Sequence, residues 1–168
     1  MATTSDPGPV DVDILSYMMH QKAILFNDEA TALEVLKTGH PRKVKSLGRR
    51  VKNFDEAVWL KHRRSIVRKG NILKFTRAIS EEGFKRGTPG ATQSGSSHSP
   101  IDGSLAGMLV NTGDRELVEA SPFDSVWGIG FRAADADAAR DSWGQNLLGK
   151  ELMEVRRILK ERQDGQGA

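Results

Sequence analysis

Lys22 is flanked by apolar residues at every position that a helix would bring alongside it. Its neighbours four and three residues back and three and four residues on are Met18, Met19, Leu25 and Phe26. An ammonium in that setting loses hydration, which favours the neutral amine. A neutral amine is a nucleophile and can form a Schiff base with an aldehyde, such as the anomeric carbon of a ring-opened ribose. The competing reading is a lysine that lays its stem on apolar neighbours and keeps its head in water.

A second stretch, Leu117 to Gly130, carries two carboxylates among apolar residues. Glu119 interrupts Leu117-Val118-Ala120, and Asp124 follows Ser121-Pro122-Phe123 and precedes Trp127. Cleaving a glycosidic bond builds positive charge on the sugar, and a carboxylate beside it stabilises that charge. Against this, Glu119 can be a solvent-facing strand residue, and Asp124 a turn former that bonds its own backbone. Trp127 offers a face for stacking a base, or is ordinary core. Gly128 and Gly130 allow close approach by a ligand or by another element. Gln145 and Asn146 stand just before the last helix. There their amides and the helix-start N–H groups can meet a phosphate or ribose, or Asn146 can simply cap the helix. Arg49 and Arg50 follow Gly48 and can take a phosphate through paired N–H groups. Together these residues suggest a pocket for an N-glycoside.

The elements that must position them are mostly helices. Apolar periodicity from Ile14 predicts a helix to about Phe26, with Asp13 as its N-cap. A short helix carrying Ala32, Leu33, Val35 and Leu36 stops at Gly39-His40-Pro41. A third covers Pro41 to Leu47 and ends at Gly48. A fourth runs from Asp55 to about Ala78 with Trp59, Ile66, Val67 and Leu73 as its core seam. Leu105 to Leu109 reads as helical, and Leu148, Leu152, Val155 and Leu159 mark a last helix that frays after Arg162. Leu117–Ala120 and Val126–Gly130 read as short strands around a Ser-Pro turn. The expected class is therefore α+β, mainly helical with a small β-sheet. Residues 1–11 and 163–168 are expected to be disordered. Residues 12–162 are expected to form a single domain, with a low-complexity insertion at 84–103.

A length of 168 residues fits one domain with a real core, and 28% charged residues fit a soluble globular chain. No cysteine is present, which removes disulfides and thiolate metal sites and suits an intracellular, cytoplasmic location, with the nucleus also open. No apolar run is long enough for a bilayer, so no membrane partner is expected. Met1 to Val12 also lacks the basic and apolar regions of a secretory signal. The four histidines lack metal-ligand spacing. Neither a phosphate-binding G-x-x-x-x-G-K-[ST] loop nor a G-x-S-x-G elbow occurs, so no metal or cofactor is expected. The net charge of +3 is unevenly spread. Thirteen Lys and Arg residues lie between Arg42 and Arg77, opposed only by Asp55 and Glu56. That favours a phosphate-bearing partner, or is a solvated basic face.

Five segments taken in order carry a family resemblance: Tyr17-Met18-Met19-His20-Gln21-Lys22-Ala23, Leu47-Gly48-Arg49-Arg50-Val51, Leu117 to Asp124, Trp127-Gly128-Ile129-Gly130 and Gly144 to Arg156. The chain resembles the NADAR, or YbiA-like, family over roughly residues 12–162. The resemblance implies a compact, mainly helical α+β domain and N-glycosidase chemistry on a phosphorylated riboside. The implied substrates are ADP-ribosylated guanine, carried on a nucleic acid or free, and a ribosylaminopyrimidine intermediate of riboflavin biosynthesis. The family's lysine falls on Lys22, its aspartate on Asp124, its tryptophan on Trp127 and its G-Q-N motif on Gly144, Gln145 and Asn146. Taken with the reading of the residues themselves, the expected catalytic groups are Lys22, Asp124 and Glu119, and the expected substrate-binding residues are Tyr17, Gln21, Arg49, Trp127, Gly128, Gln145 and Asn146. Two departures stand out. The family's upstream Phe-Ser-Asn-Phe-like strand has no counterpart in Met1 to Asp13, so the chain reads as N-terminally shortened. The family glutamate two residues before the motif tyrosine is here Leu15. Those departures keep open a degenerate, non-catalytic binder of ADP-ribose or a related nucleotide. The basic helices keep open a nucleic-acid binder.

Overall fold

The computed structural model describes residues 14–76 and 105–164. The expectations for 1–11, Asp13, 84–103, the stretch just past Thr76 and the last four residues lie outside the described residues. Among the described residues six α-helices follow in chain order: α1 Ile14–Leu25, α2 Glu29–Leu36, α3 Pro41–Arg49, α4 Glu56–Thr76, α5 Leu105–Val110 and α6 Leu147–Asp164. Two single 3-10 turns, Ala133–Asp135 and Arg140–Ser142, lie between α5 and α6.

Helix α4 is the spine. Helix α1 packs on α2, α3 and α4, and α4 also meets α5 and α6. Asp55 starts α4 by accepting the Val58 N–H at 2.9 Å. Asp28 does the same for α2, taking the Thr31 N–H at 3.2 Å. Its other oxygen accepts the Lys52 N–H at 2.9 Å and so pins the 50–54 turn to the α1–α2 corner. That backbone bond, above all, holds the Asp28 carboxyl below the usual aspartate range.

Among the described residues the core gathers into three apolar clusters. Ala23, Phe26, Ala32 and Val51 gather with Leu25 and Trp59. Val35, Val44 and Leu47 gather with Leu15 and Met19. Leu109, Val155 and Leu159 gather with Ile72, Phe75 and Leu117. Two details differ from the periodicity. Gly48 lies inside α3, which runs on to Arg49, and its missing β-carbon leaves the space that the Met19 side chain fills. On α4 the fully buried line runs through Val67, Gly70 and Asn71, not along Trp59, Ile66 and Leu73. Gly70 is on that line because the Tyr17 ring covers it.

The small β-sheet of the expected α+β class is a correction: among the described residues there is no strand. The reason is local. The N–H groups of Gly144, Gln145, Asn146, Leu147 and Leu148 donate to the carbonyls of Ile129, Ser125, Gly128, Val126 and Trp127, at 2.7–3.1 Å. Five consecutive carbonyls thus turn toward one segment, whereas a strand sends successive carbonyls to opposite sides. Segment 117–119 is paired just as irregularly, by the Asn146 side chain. Its Oδ1 accepts the Glu119 N–H at 3.1 Å and its Nδ2 donates to the Leu117 carbonyl at 2.9 Å. A single further bond, Ile129 N–H to the Glu119 carbonyl at 2.9 Å, joins the two stretches.

Candidate active site

Two walls face the N-terminal half of α4, at Trp59 and Arg63. The helical wall is built around Lys22. Its Nζ donates to the Gly48 carbonyl at 2.8 Å and lies 4.0 Å from the Phe54 ring centroid and 5.4 Å from that of Trp59. Phe54 reaches it because Asn53 takes a left-handed turn (φ 53°) just before it. Burial pushes the Lys22 amine below the ordinary lysine value. The carbonyl bond survives in the neutral form, which keeps N–H donors and gains a lone pair. Arg49 and Arg50 follow the Gly48 carbonyl in sequence and are exposed.

The loop wall is built around Gly128. A β-carbon there would sit 2.6 Å from the Glu119 carbonyl and 2.8 Å from the Asp124 carbonyl, so only glycine lets the two carboxylate-bearing segments cross. Asp124 Oδ1 accepts the Val126 and Trp127 N–H groups at 2.9 and 2.7 Å. Asp124 is thus a turn former, while its Oδ2 has no hydrogen-bond partner among the described residues. The Glu119 side chain is exposed and has no polar partner among them either.

Arg63 ties the walls together. Its Nη2 donates to Gln145 Oε1 at 3.1 Å and its guanidinium lies 6.0 Å from the Trp127 ring. It stands one helical turn beyond Trp59 on the same face of α4, so the Lys22 cage and the Trp127–Gln145 pair share one helix surface. Arg63 Nε is buried with no partner among the described residues.

Not every predicted binding residue points its functional group at this surface. Asn146 spends both ends of its amide on backbone and takes a left-handed conformation (φ 47°) to do so. The N–H groups of Asn146, Leu147 and Leu148 are engaged by loop carbonyls, so those three helix-start donors are not open to a phosphate. The Tyr17 ring lies on Gly70, and burial raises its phenol pKa. Gln21 Nε2 sits 3.2 Å from the His20 ring nitrogen Nδ1. Leu15 packs into the apolar α2–α3 cluster. Among the described residues no His, Asp or Glu cluster could hold a metal ion. No described helix is long and apolar enough to cross a membrane.

Residues 14–160 match the NADAR domain family. The chain belongs to that family. It is 39% identical over 142 residues to "N-glycosidase R617" of Acanthamoeba polyphaga mimivirus, covering 83% of this chain and 69% of that protein. It is 30% identical over 152 residues to "Protein irg-1" of Caenorhabditis elegans, covering 88% of this chain and 60% of that one. "N-glycosidase Npun_R5314" of Nostoc punctiforme is 45% identical over 53 residues, 32% of this chain and 28% of that protein. The chain thus spans about two thirds of the length of the first two.

Four residues of this NADAR domain escaped the sequence reading of the site: Phe54, Arg63, and the pair Arg64 and Arg68. A fifth, Glu151, is fully buried and takes Arg64 Nε and Arg68 Nε, each at 2.6 Å, on its two oxygens. Its signal was present in the sequence. Glu151 sits four residues from both Leu147 and Val155, on the apolar line of α6, and the arginines are four apart on α4.

Proposed function

We propose that this NADAR domain is an N-glycosidase acting on a phosphorylated riboside, with Lys22 as nucleophile. The observation that carries the reading is the Lys22 amine, half-buried in an aromatic cage and pushed toward its neutral form. Two relatives named N-glycosidases support it. The Lys22 nitrogen bonds to the sugar C1′ as the bond from C1′ to the base nitrogen breaks, and the proton shed by the amine leaves with the base. Water then hydrolyses the C1′–lysine bond, through its ring-opened Schiff-base form, and the free amine returns. Asp124, through the oxygen that its turn does not use, and Glu119 stabilise the positive charge that builds on the ring. Trp127 stacks the base, and the site binds phosphate through arginine. ADP-ribosylated guanine, with two phosphates, suits the basic α4 better than a singly phosphorylated ribosylaminopyrimidine.

The test is release of free base from ADP-ribosylated guanosine and from a phosphoribosyl-aminopyrimidine, with borohydride added to trap the sugar on the protein. A sugar mass on the Lys22 peptide, absent in Lys22→Met, is expected. Base release that persists in Lys22→Met would remove Lys22 from the chemistry. One observation favours a second reading, a nucleotide binder without turnover: Leu15 is packed into the core where the family resemblance implies a glutamate. Micromolar ADP-ribose binding with no base release from either substrate would select it.

A further inference from the structure

The buried carboxylate of Glu151 cannot be explained as a simple ion pair. It is fully buried and meets two guanidinium groups, so the cluster keeps a net positive charge. Both arginines are held by Nε, and their Nη groups have no hydrogen-bond partner among the described residues. Their side chains remain 50% and 36% exposed. The nearby carboxylate that could quench Arg68 is Glu154. It is already taken by Arg157, through Nε at 3.0 Å and Nη2 at 2.8 Å. Lys61, exposed and three residues before Arg64, extends the same stripe of α4. The result is a fork of immobilised N–H donors, and holding arginines still removes most of the entropy that anion binding would otherwise cost.

Its place matters as much as its charge. The Trp127 carbonyl accepts the Leu148 N–H at 3.0 Å. Glu151 is three residues further along α6, about 5 Å of rise. On α4, Arg64 adjoins Arg63, which faces Trp127. The fork therefore lies where α4 meets α6, one residue along α4 from the arginine that approaches the Trp127 ring. At the start of α6 the N–H groups of Asn146, Leu147 and Leu148 are engaged by loop carbonyls.

We infer that Arg64 and Arg68, oriented by Glu151, form the phosphate subsite of this domain and grip a phosphate or diphosphate ester of the substrate. This deepens the glycosidase reading but is tested apart from turnover. ADP, with adenosine as the phosphate-free control, is titrated calorimetrically into wild type and into the double variant Arg64→Lys/Arg68→Lys. The lysines keep both charges against Glu151 and lose the planar fork. Wild type should bind ADP at least tenfold more tightly than adenosine. The double variant should lose that advantage while its adenosine affinity stays within twofold. Arg64→Lys alone, at the more exposed site, should lose at least threefold and serves if the double variant does not fold. No ADP preference in wild type, or an undiminished preference in the variants, overturns the subsite. So does weakened binding of a short oligothymidylate with ADP binding intact, which would assign the fork to a polynucleotide backbone. Retained ADP preference with no base release from any riboside would defeat the glycosidase reading and leave the subsite standing.

Discussion

The wall around Lys22 and the wall around Gly128 solve the same problem by opposite means. Helices α1 and α3 place Lys22 through regular backbone and apolar packing, and the polar contact at its head is one carbonyl bond. The loop wall has little apolar core of its own. It is held by a run of backbone bonds into the start of α6, by the Asn146 amide, and by glycines at the crossings. A wall built from packing can absorb a side-chain change. A wall built from backbone contacts cannot, because carbonyls have no rotamers to yield with.

The largest effect expected from breaking this contrast is on turnover. Lys22→Met keeps the apolar stem and removes the amine. Base release should fall by about a thousandfold or more, roughly 4 kcal/mol on the barrier. Its melting temperature should stay within a few degrees of wild type, because no buried charge is left unpaired. A large loss of melting temperature in calorimetry would make Lys22 structural.

The next comparison pits glycine against glycine. Gly128→Ala would drive a methyl group into two backbone carbonyls, 2.6 and 2.8 Å away, and should cost about 3 kcal/mol in urea denaturation, with loss of activity. Gly48→Ala meets a methionine side chain, Met19, which can swing aside, and should cost about 1 kcal/mol. Equal costs would sink the contrast between the walls.

Asn146 divides the loop wall's stability into its parts. Asn146→Ala loses two hydrogen bonds and must hold a positive φ, and should cost about 2–3 kcal/mol. Asn146→Gly recovers the conformation but not the bonds, and should cost about 1 kcal/mol less. If the two variants melt together, the backbone conformation is not part of the cost.

The same division decides what was legible in the sequence. The helices were, because their apolar spacing is a property of each segment alone: α2, α4 and α6 begin within a few residues of where their caps place them, and α2 ends just short of its Gly39-His40-Pro41 breaker. An apolar setting for Lys22 could be read from its own helix, but the groups at its amine, the Gly48 carbonyl and the Phe54 and Trp59 rings, come from other segments. The loop wall was not. Val126–Gly130 has the composition of a strand, yet its carbonyls serve a helix start some twenty residues later, a partnership that no local pattern encodes. Asn146 looked like a cap with an amide to spare, and both ends of that amide are spent on segment 117–119. Glu151 is visible as a carboxylate on the apolar line of α6, but the arginines that pair it lie more than eighty residues earlier, beyond any local pattern.

The smallest effect expected is a slope. The folded-state pKa of Lys22 is lowered by burial, while the unfolded chain titrates near the ordinary lysine value of about 10.4. Well below both values the two states carry the same proton, and the folded state bears the cost of a desolvated charge. Between them the unfolded chain binds more protons than the folded one, so stability rises with pH across that window and levels off above it. Urea denaturation of wild type against Lys22→Met, stepped upward through the alkaline range, isolates the slope because the methionine variant cannot show it. The acid limb of kcat/KM should report the same lowered pKa, since the neutral amine is the reactive form. A stability difference that is flat with pH would mean that the Gly48 carbonyl and the two rings stabilise the ammonium as well as water does. The helical wall would then position Lys22 without activating it.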